Sequence, residues 1–102
     1  MTKYASIRED VLRKMAEHMP EIRERFGVKS LALFGSVSHA EDTPDSDVDI
    51  LYESLPGEAT LAHLVGLGDY LEEVFHRKVD LVAVRALSPY LREDVIAEAV
   101  YI

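Results

Sequence analysis

The sequence predicts an α+β fold, a small mixed β-sheet flanked by helices. Apolar residues recur at helical spacing in some stretches and gather in short β-prone runs in others, in the order α, β, β, α, β, α. Such an order suggests a small α+β or mixed-sheet domain. Turn residues at Gly27, Gly35-Ser36, 54–60 and Ser88-Pro89 separate the runs. With 102 residues, 48% hydrophobic and 29% charged, the chain is long enough for a real core. Residues 1–102 are therefore expected to form a single domain.

Each element has its own signal. Ser6 with Glu9 three residues later predicts a capping box. It opens a helix whose apolar stripe is Ile7, Val11 and Met15, extended by Leu12 and Met19. Pro20 suits a first helical position, so a short second helix is expected to restart at PEIRERF, with Gly27 as its C-terminal cap. Residues 28–34 predict a buried strand that ends at Gly35-Ser36. Residues 37–46, VSHAEDTPDS, predict a polar loop or a turn of helix.

Residues 47–53 predict the second strand, and 54–60 a turn. Thr60 is the expected cap of a helix through LAHLVGLGDYLEEVFH, with Leu61, Leu64, Val65, Leu71, Val74 and Phe75 as its apolar side. Gly66 and Gly68 weaken that helix or allow close packing. Residues 77–84 predict a third strand, with Val79 and Leu81 facing one way and Asp80 and Val82 the other. Ser88-Pro89 opens a last helix through LREDVIAEA. The tail AVYI is β-prone and is expected to pack on the core or against a partner.

Composition narrows the functional classes. There are no cysteines, hence no disulfide framework and no thiolate metal site. No apolar run approaches the roughly 20 residues a membrane helix needs. The first residues, MTKYASIREDVLRK, lack the apolar core of a secretory signal. A cytoplasmic location without membrane association is expected. The net charge of -8, from 11 basic and 19 acidic residues, argues against direct nucleic-acid binding, which relies on Lys and Arg neutralising phosphates. It leaves a nucleotide open, because Mg2+ can bridge carboxylates to phosphates. It also favours a basic protein partner.

The stretch LALFGSVSHAEDTPDSDVDILY, residues 31–52, carries the chemistry. Asp47 and Asp49 are two apart on a strand, so both point to one face while Val48 and Ile50 point to the other. Paired carboxylates repel and are costly to desolvate, and a cation is the simplest remedy. Their hard oxygens suit Mg2+. Asp80, within an apolar strand, is the best candidate for a third carboxylate that completes the site or takes a proton from a nucleophile. Gly35 lets the backbone approach a phosphate, and Ser36 offers a hydroxyl and an amide to hold it. Phosphoryl and nucleotidyl transfer is mainly a matter of placing and neutralising charge, and two metal ions about 3.5–4 Å apart can clamp the attacking and leaving oxygens.

GSVSHAEDTPDSDVDILY resembles the signature of the nucleotidyltransferase superfamily typified by DNA polymerase beta and kanamycin nucleotidyltransferase. The small size, the pattern from LALFGS to SDVDILY and the later KVDLVAV resemble the minimal nucleotidyltransferase (MNT) family in particular, over nearly the whole chain. The resemblance implies the polymerase beta-like nucleotidyltransferase fold, with ATP and Mg2+, as two ions, at the GS and DxD turn. It implies that Gly35 and Ser36 engage the triphosphate, that Asp47 and Asp49 bind the metal, and that Asp80 is the third carboxylate. It further implies an antitoxin that forms a hetero-oligomer with a helical HEPN-domain toxin and moves AMP from ATP to a tyrosine of that toxin. One departure stands out: relatives commonly carry Arg-Gly in the loop after GS, where this chain has His39-Ala40. A neutral imidazole does not replace the charged fork of an arginine.

The alternative is a non-catalytic antitoxin that neutralises the toxin by direct binding. An antibiotic-modifying enzyme is disfavoured, since such enzymes usually need a further domain for the acceptor. His18, His63 and His76 lack ligand spacing to each other. Arg77, Lys78, Arg85 and Arg92 are expected to be solvated or to reach phosphate. Tyr4, Tyr52, Tyr70, Tyr90 and Tyr101 are expected to pack, and any exposed one can accept AMP in a self-reaction.

Overall fold

A computed structural model describes residues 3–102. Its elements are α1 (Arg8–Phe26), β1 (Val28–Phe34), α2 (Gly35–Ser38), β2 (Val48–Ser54), α3 (Leu61–Phe75), β3 (Val79–Ala83), a 3-10 turn (Val84–Ala86), α4 (Pro89–Glu98) and β4 (Val100–Tyr101). The four strands form one mixed sheet in the order β3-β2-β1-β4. β1 is antiparallel to both its neighbours, and β2 is parallel to β3. That parallel pair needs a crossover, which α3 supplies. The expected α+β mixed sheet with flanking helices is the fold observed.

α1 and α3 pack on one face of the sheet. Val11, Met15, Met19, Ile22 and Phe26 of α1 meet Leu67, Leu71 and Phe75 of α3 over Leu31, Leu33, Val48 and Ile50. Val79 and Leu81 join this face, as their alternation predicts. Asp49, one residue from both Val48 and Ile50, therefore belongs to the opposite face, as does Asp80.

Two features of α1 differ from expectation. The helix runs unbroken through Pro20. The buried stripe Met15, Met19, Ile22, Phe26 crosses Pro20 in phase, and this packing outweighs the lost bond to Ala16, at a point where both residues are exposed. The capping box does not form. Ile7 is the N-cap and makes no side-chain capping bond, and Glu9 pairs with Arg8. Instead Ser6 Oγ accepts from the Arg8 amide at 3.1 Å and donates to Asp42 of a distant loop. Gly27 does end the helix, at φ 62°, with its N–H donated to the Arg23 carbonyl.

α3 begins as expected, with Thr60 Oγ1 accepting from the His63 amide at 3.1 Å. Its buried stripe, however, is Leu67, Leu71 and Phe75, whereas Leu61 and Val65 are 75% and 54% exposed. Gly66 explains this. A Cβ there would lie 2.8 Å from Phe26 Cε1, so α3 presses this face on α1 and turns Val65, about 100° away around the helix, outward. Ser88 caps α4 with Pro89 in its first turn. The tail becomes β4, in which Val100 and Tyr101 pair with Leu33 and Ala32.

Candidate active site

The C-terminal end of β1 and the N-terminal ends of β2 and β3 lie side by side. Phe34 is opposite Asp49 in the antiparallel pair, and Asp49 is in register with Asp80 in the parallel pair. Gly35 follows Phe34, and Asp47 immediately precedes β2 rather than lying within it. The five residues singled out in the sequence thus converge on one end of the sheet.

Gly35 touches the carboxylate directly. Its φ is +76°, and a Cβ built on it would overlap Asp49 Oδ2 and stand 3.0 Å from Asp49 Cγ. Only glycine meets both demands without strain. The short α2 behind it is pinned from several sides. Val37 is buried in the core, Ser38 Oγ donates to the Gly35 carbonyl at 2.7 Å, and Arg8 Nε donates to the Ser38 carbonyl at 2.9 Å. The Ser36 carbonyl accepts from the amides of His39 and Glu41.

The electrostatics identify the site as electron-rich. Burial, then the charge of Asp80, then that of Asp47 raise the Asp49 pKa above its ordinary value. Both sequence-chosen neighbours therefore act on Asp49 at once. Among the described residues, no Lys, Arg or His forms an ion pair with Asp47, Asp49 or Asp80. Nor is any group of three His, Cys, Asp or Glu side chains among them placed to hold a metal ion by itself. The donor chemistry nevertheless fits Mg2+, which keeps several waters and is commonly held by one or two carboxylates together with substrate phosphates. A surface hollow of about 330 Å3, lined by residues that include Tyr52, Leu55, Ala83, Arg85 and Arg92, is formed without any of the five site residues.

The loop after α2 contains residues that sequence reasoning missed. Asp42 is only 7% exposed. Its carboxylate accepts from Tyr4 Oη at 2.5 Å, from Ser6 Oγ, and from the Ile7 amide at 3.2 Å. Burial alone would raise its pKa, but the bonds from Ser6, Tyr4 and the amides of Ile7 and Asp42 outweigh it and hold the pKa below the ordinary value. A loop aspartate in VSHAEDTPDS carries no periodicity that would announce such burial.

Ala40 has φ +56°, in the left-handed region. This is the position where the resemblance expects glycine. An L-residue there costs about 1–2 kcal/mol, offset in part by the roughly 0.4–1 kcal/mol that glycine loses through the freer unfolded chain. Ala40→Gly is thus expected to raise the melting temperature by a few degrees, about 4–8 °C per kcal/mol for a domain of this size. An unchanged or lower midpoint in a thermal scan would remove the strain argument. The neighbouring His39 is exposed, and its Nε2 lies 3.5 Å from Glu98 Oε2 of α4.

Residues 15–102 match the nucleotidyltransferase domain family. The chain belongs to that family. A curated relative of this nucleotidyltransferase, the protein adenylyltransferase MntA of Thermococcus cleftensis, is 38% identical over 96 residues, covering 92% of this chain and 94% of the relative. A solved structure described as a candidate minimal nucleotidyltransferase superposes with a TM-score of 0.77 at 36% identity, over 89% of this chain and 92% of its own. A toxin-antitoxin structure solved with AMP-PNP shares the fold, with a TM-score of 0.66 at 22% identity over 83% of this chain and 69% of its own. Among the described residues no helix is long and apolar enough to cross a membrane.

Proposed function

We propose that residues 1–102 act as one minimal nucleotidyltransferase unit, the antitoxin of a HEPN-type toxin, and that it silences the toxin by protein adenylylation. The observation that carries this reading is Asp49 pressed against Gly35 and acted on by Asp47 and Asp80 together. A purely binding antitoxin has no use for such an unfavourable cluster. The adenylyltransferase name of the 38% identical relative supports the same chemistry, and the toxin-antitoxin structure with AMP-PNP, which shares the fold, is consistent with ATP and a toxin partner.

In this reading Gly35 and Ser36 hold the triphosphate, with the missing Cβ of Gly35 leaving the backbone open beside Asp49. Asp47 and Asp49, with Asp80 as the third carboxylate beside them, would hold Mg2+, as two ions, which when bound would neutralise charge on the phosphates. The toxin's tyrosine oxygen attacks the α-phosphorus of ATP. A new P–O bond forms to tyrosine, the bond between the α-phosphorus and the bridging oxygen breaks, and pyrophosphate leaves. The phenol proton passes to a carboxylate of the cluster, for which Asp80, exposed and in register with Asp49, is the proposed acceptor.

The test is the intact mass of the co-expressed toxin after incubation with this chain, ATP and Mg2+. A gain of one adenylyl group or a multiple is expected, and it should be absent with the Asp47→Asn/Asp49→Asn variant and with chelator. No mass change, together with a stable complex and an inhibited toxin, would replace this reading with the non-catalytic antitoxin. One observation favours that second reading: His39 stands beside Glu98, where an arginine fork for phosphate is expected.

A further inference from the structure

We propose that Arg77 is a positioning residue that clamps the loop leading into Asp47 to the segment leading into the strand that carries Asp80. The inference rests on the functional reading above for its catalytic consequence, and on geometry alone for the clamp.

Arg77 lies between α3 and β3, three residues before Asp80. Its Nη1 donates to the Thr43 carbonyl at 3.1 Å and to the Ser46 carbonyl at 2.9 Å. Its Nη2 donates to Tyr4 Oη at 3.0 Å. Ser46 is the residue immediately before Asp47. One guanidinium thus holds the last turn of the loop against the segment that leads into β3. The backbone continues the seam, with the Val48 amide donating to the Lys78 carbonyl at 2.9 Å.

The clamp has a second arm. Tyr4 Oη, which accepts from Arg77, donates onward to Asp42, and the guanidinium lies 6.0 Å from the Tyr4 ring centroid. Asp42 in turn takes Ser6 Oγ and the Ile7 amide. Arg77 and Asp42 therefore bind the N-terminal segment across the loop and fix it at both ends, residues 42–43 and residue 46. Inside the loop, Thr43 N–H donates to Ser46 Oγ at 2.8 Å and Ser46 N–H to the Thr43 carbonyl at 3.1 Å. Arg77 caps this local ring from outside.

The physical need is clear from the charges. Asp47 sits just outside β2, so the sheet ladder does not fix it as it fixes Asp49. Left alone, Asp47 would swing away from Asp49 and Asp80, which repel it. A planar fork that serves two carbonyls and a phenol at fixed angles can oppose that motion, whereas an ammonium is a point donor on a flexible stem.

The experiment compares wild type with Arg77→Ala and Arg77→Lys by hydrogen exchange of the free protein, and by the Mg2+ dependence of adenylyl transfer to the toxin. The amides of Glu41, Thr43 and Ser46 are hydrogen-bonded in the structure. Their peptides are expected to exchange about tenfold faster or more in Arg77→Ala, with α1 and the central strands unchanged. Transfer is expected to fall about 10- to 100-fold, the scale of a small misplacement of a reacting group, with a higher Mg2+ concentration for half-maximal rate. Arg77→Lys should restore neither in full.

Unchanged exchange of residues 39–49 in Arg77→Ala would overturn the clamp. Faster exchange with an unaltered Mg2+ requirement would overturn its positioning role. A wild-type chain that transfers nothing would instead defeat the functional reading, and the exchange data would still decide the clamp.

Discussion

Asp49→Asn is expected to abolish adenylyl transfer and, in the same protein, to raise the stability of the cation-free chain at neutral pH. The two effects share one cause. Burial, the charge of Asp80 and the charge of Asp47 raise the Asp49 pKa. A carboxyl whose folded-state pKa exceeds its unfolded value contributes stability below the unfolded pKa, and that contribution is lost as pH rises through the folded pKa. At neutral pH the ionised Asp49 is thus a net cost to folding. Asparagine keeps the shape and removes the charge.

Because the half-buried carboxylate is partly screened by solvent, the relief is expected to be no more than about 1 kcal/mol. The melting temperature should rise at pH 7 by a few degrees, at about 4–8 °C per kcal/mol. The gain should shrink as pH falls toward about 4, where an ordinary aspartate is already half protonated. Mg2+ with ATP should narrow the difference by stabilising the wild type and not the variant. A variant with native circular dichroism that melts at or below the wild-type temperature at pH 7, without added cation, would show that Asp49 carries no such cost. Full residual transfer in Asp47→Asn/Asp49→Asn would remove these residues from the site altogether.

The parts of the molecule that were legible in the sequence are those set by local rules. Alternation placed Val48 and Ile50 in the core and Asp49 on the other face, and it did the same for Val79, Leu81 and Asp80. Gly27, Thr60 and Ser88 ended or began helices where their side chains, or lack of one, predicted. The failures came where a distant segment supplied the competing interaction. Pro20 reads locally as a start, but packing on either side keeps α1 whole. Ser6 reads locally as half of a capping box, but Asp42, 36 residues away, takes its hydroxyl. Leu61 and Val65 read as core, but the contact of Gly66 with Phe26 sets the rotation of α3. Arg77 reads locally as solvated or as reaching phosphate, because nothing in its neighbourhood names Thr43, Ser46 and Tyr4 as its partners.

Gly35→Ala should be the most damaging single methyl that can be added at the site, and the damage should depend on Asp49. Two costs add at this position. The left-handed φ of +76° penalises any L-residue by about 1–2 kcal/mol. The new Cβ also overlaps the carboxylate of Asp49, whose backbone is held by pairing with Phe34 on one side and Asp80 on the other. Asp49 must rotate away, which removes it from both Gly35 and the other carboxylates. Activity should fall at least about 100-fold, the scale of a 1 Å misplacement at a reacting centre.

The two costs separate in a double-mutant cycle with Asp49→Ala, which removes the overlapped atoms but leaves the backbone strain. Urea unfolding of the four proteins should show that Gly35→Ala costs less in the Asp49→Ala background by about 0.5–3 kcal/mol, the usual range for residues in contact. Strict additivity would mean that the methyl is accommodated without moving the carboxylate, and the close approach of Gly35 to Asp49 would then have no part in shaping the site.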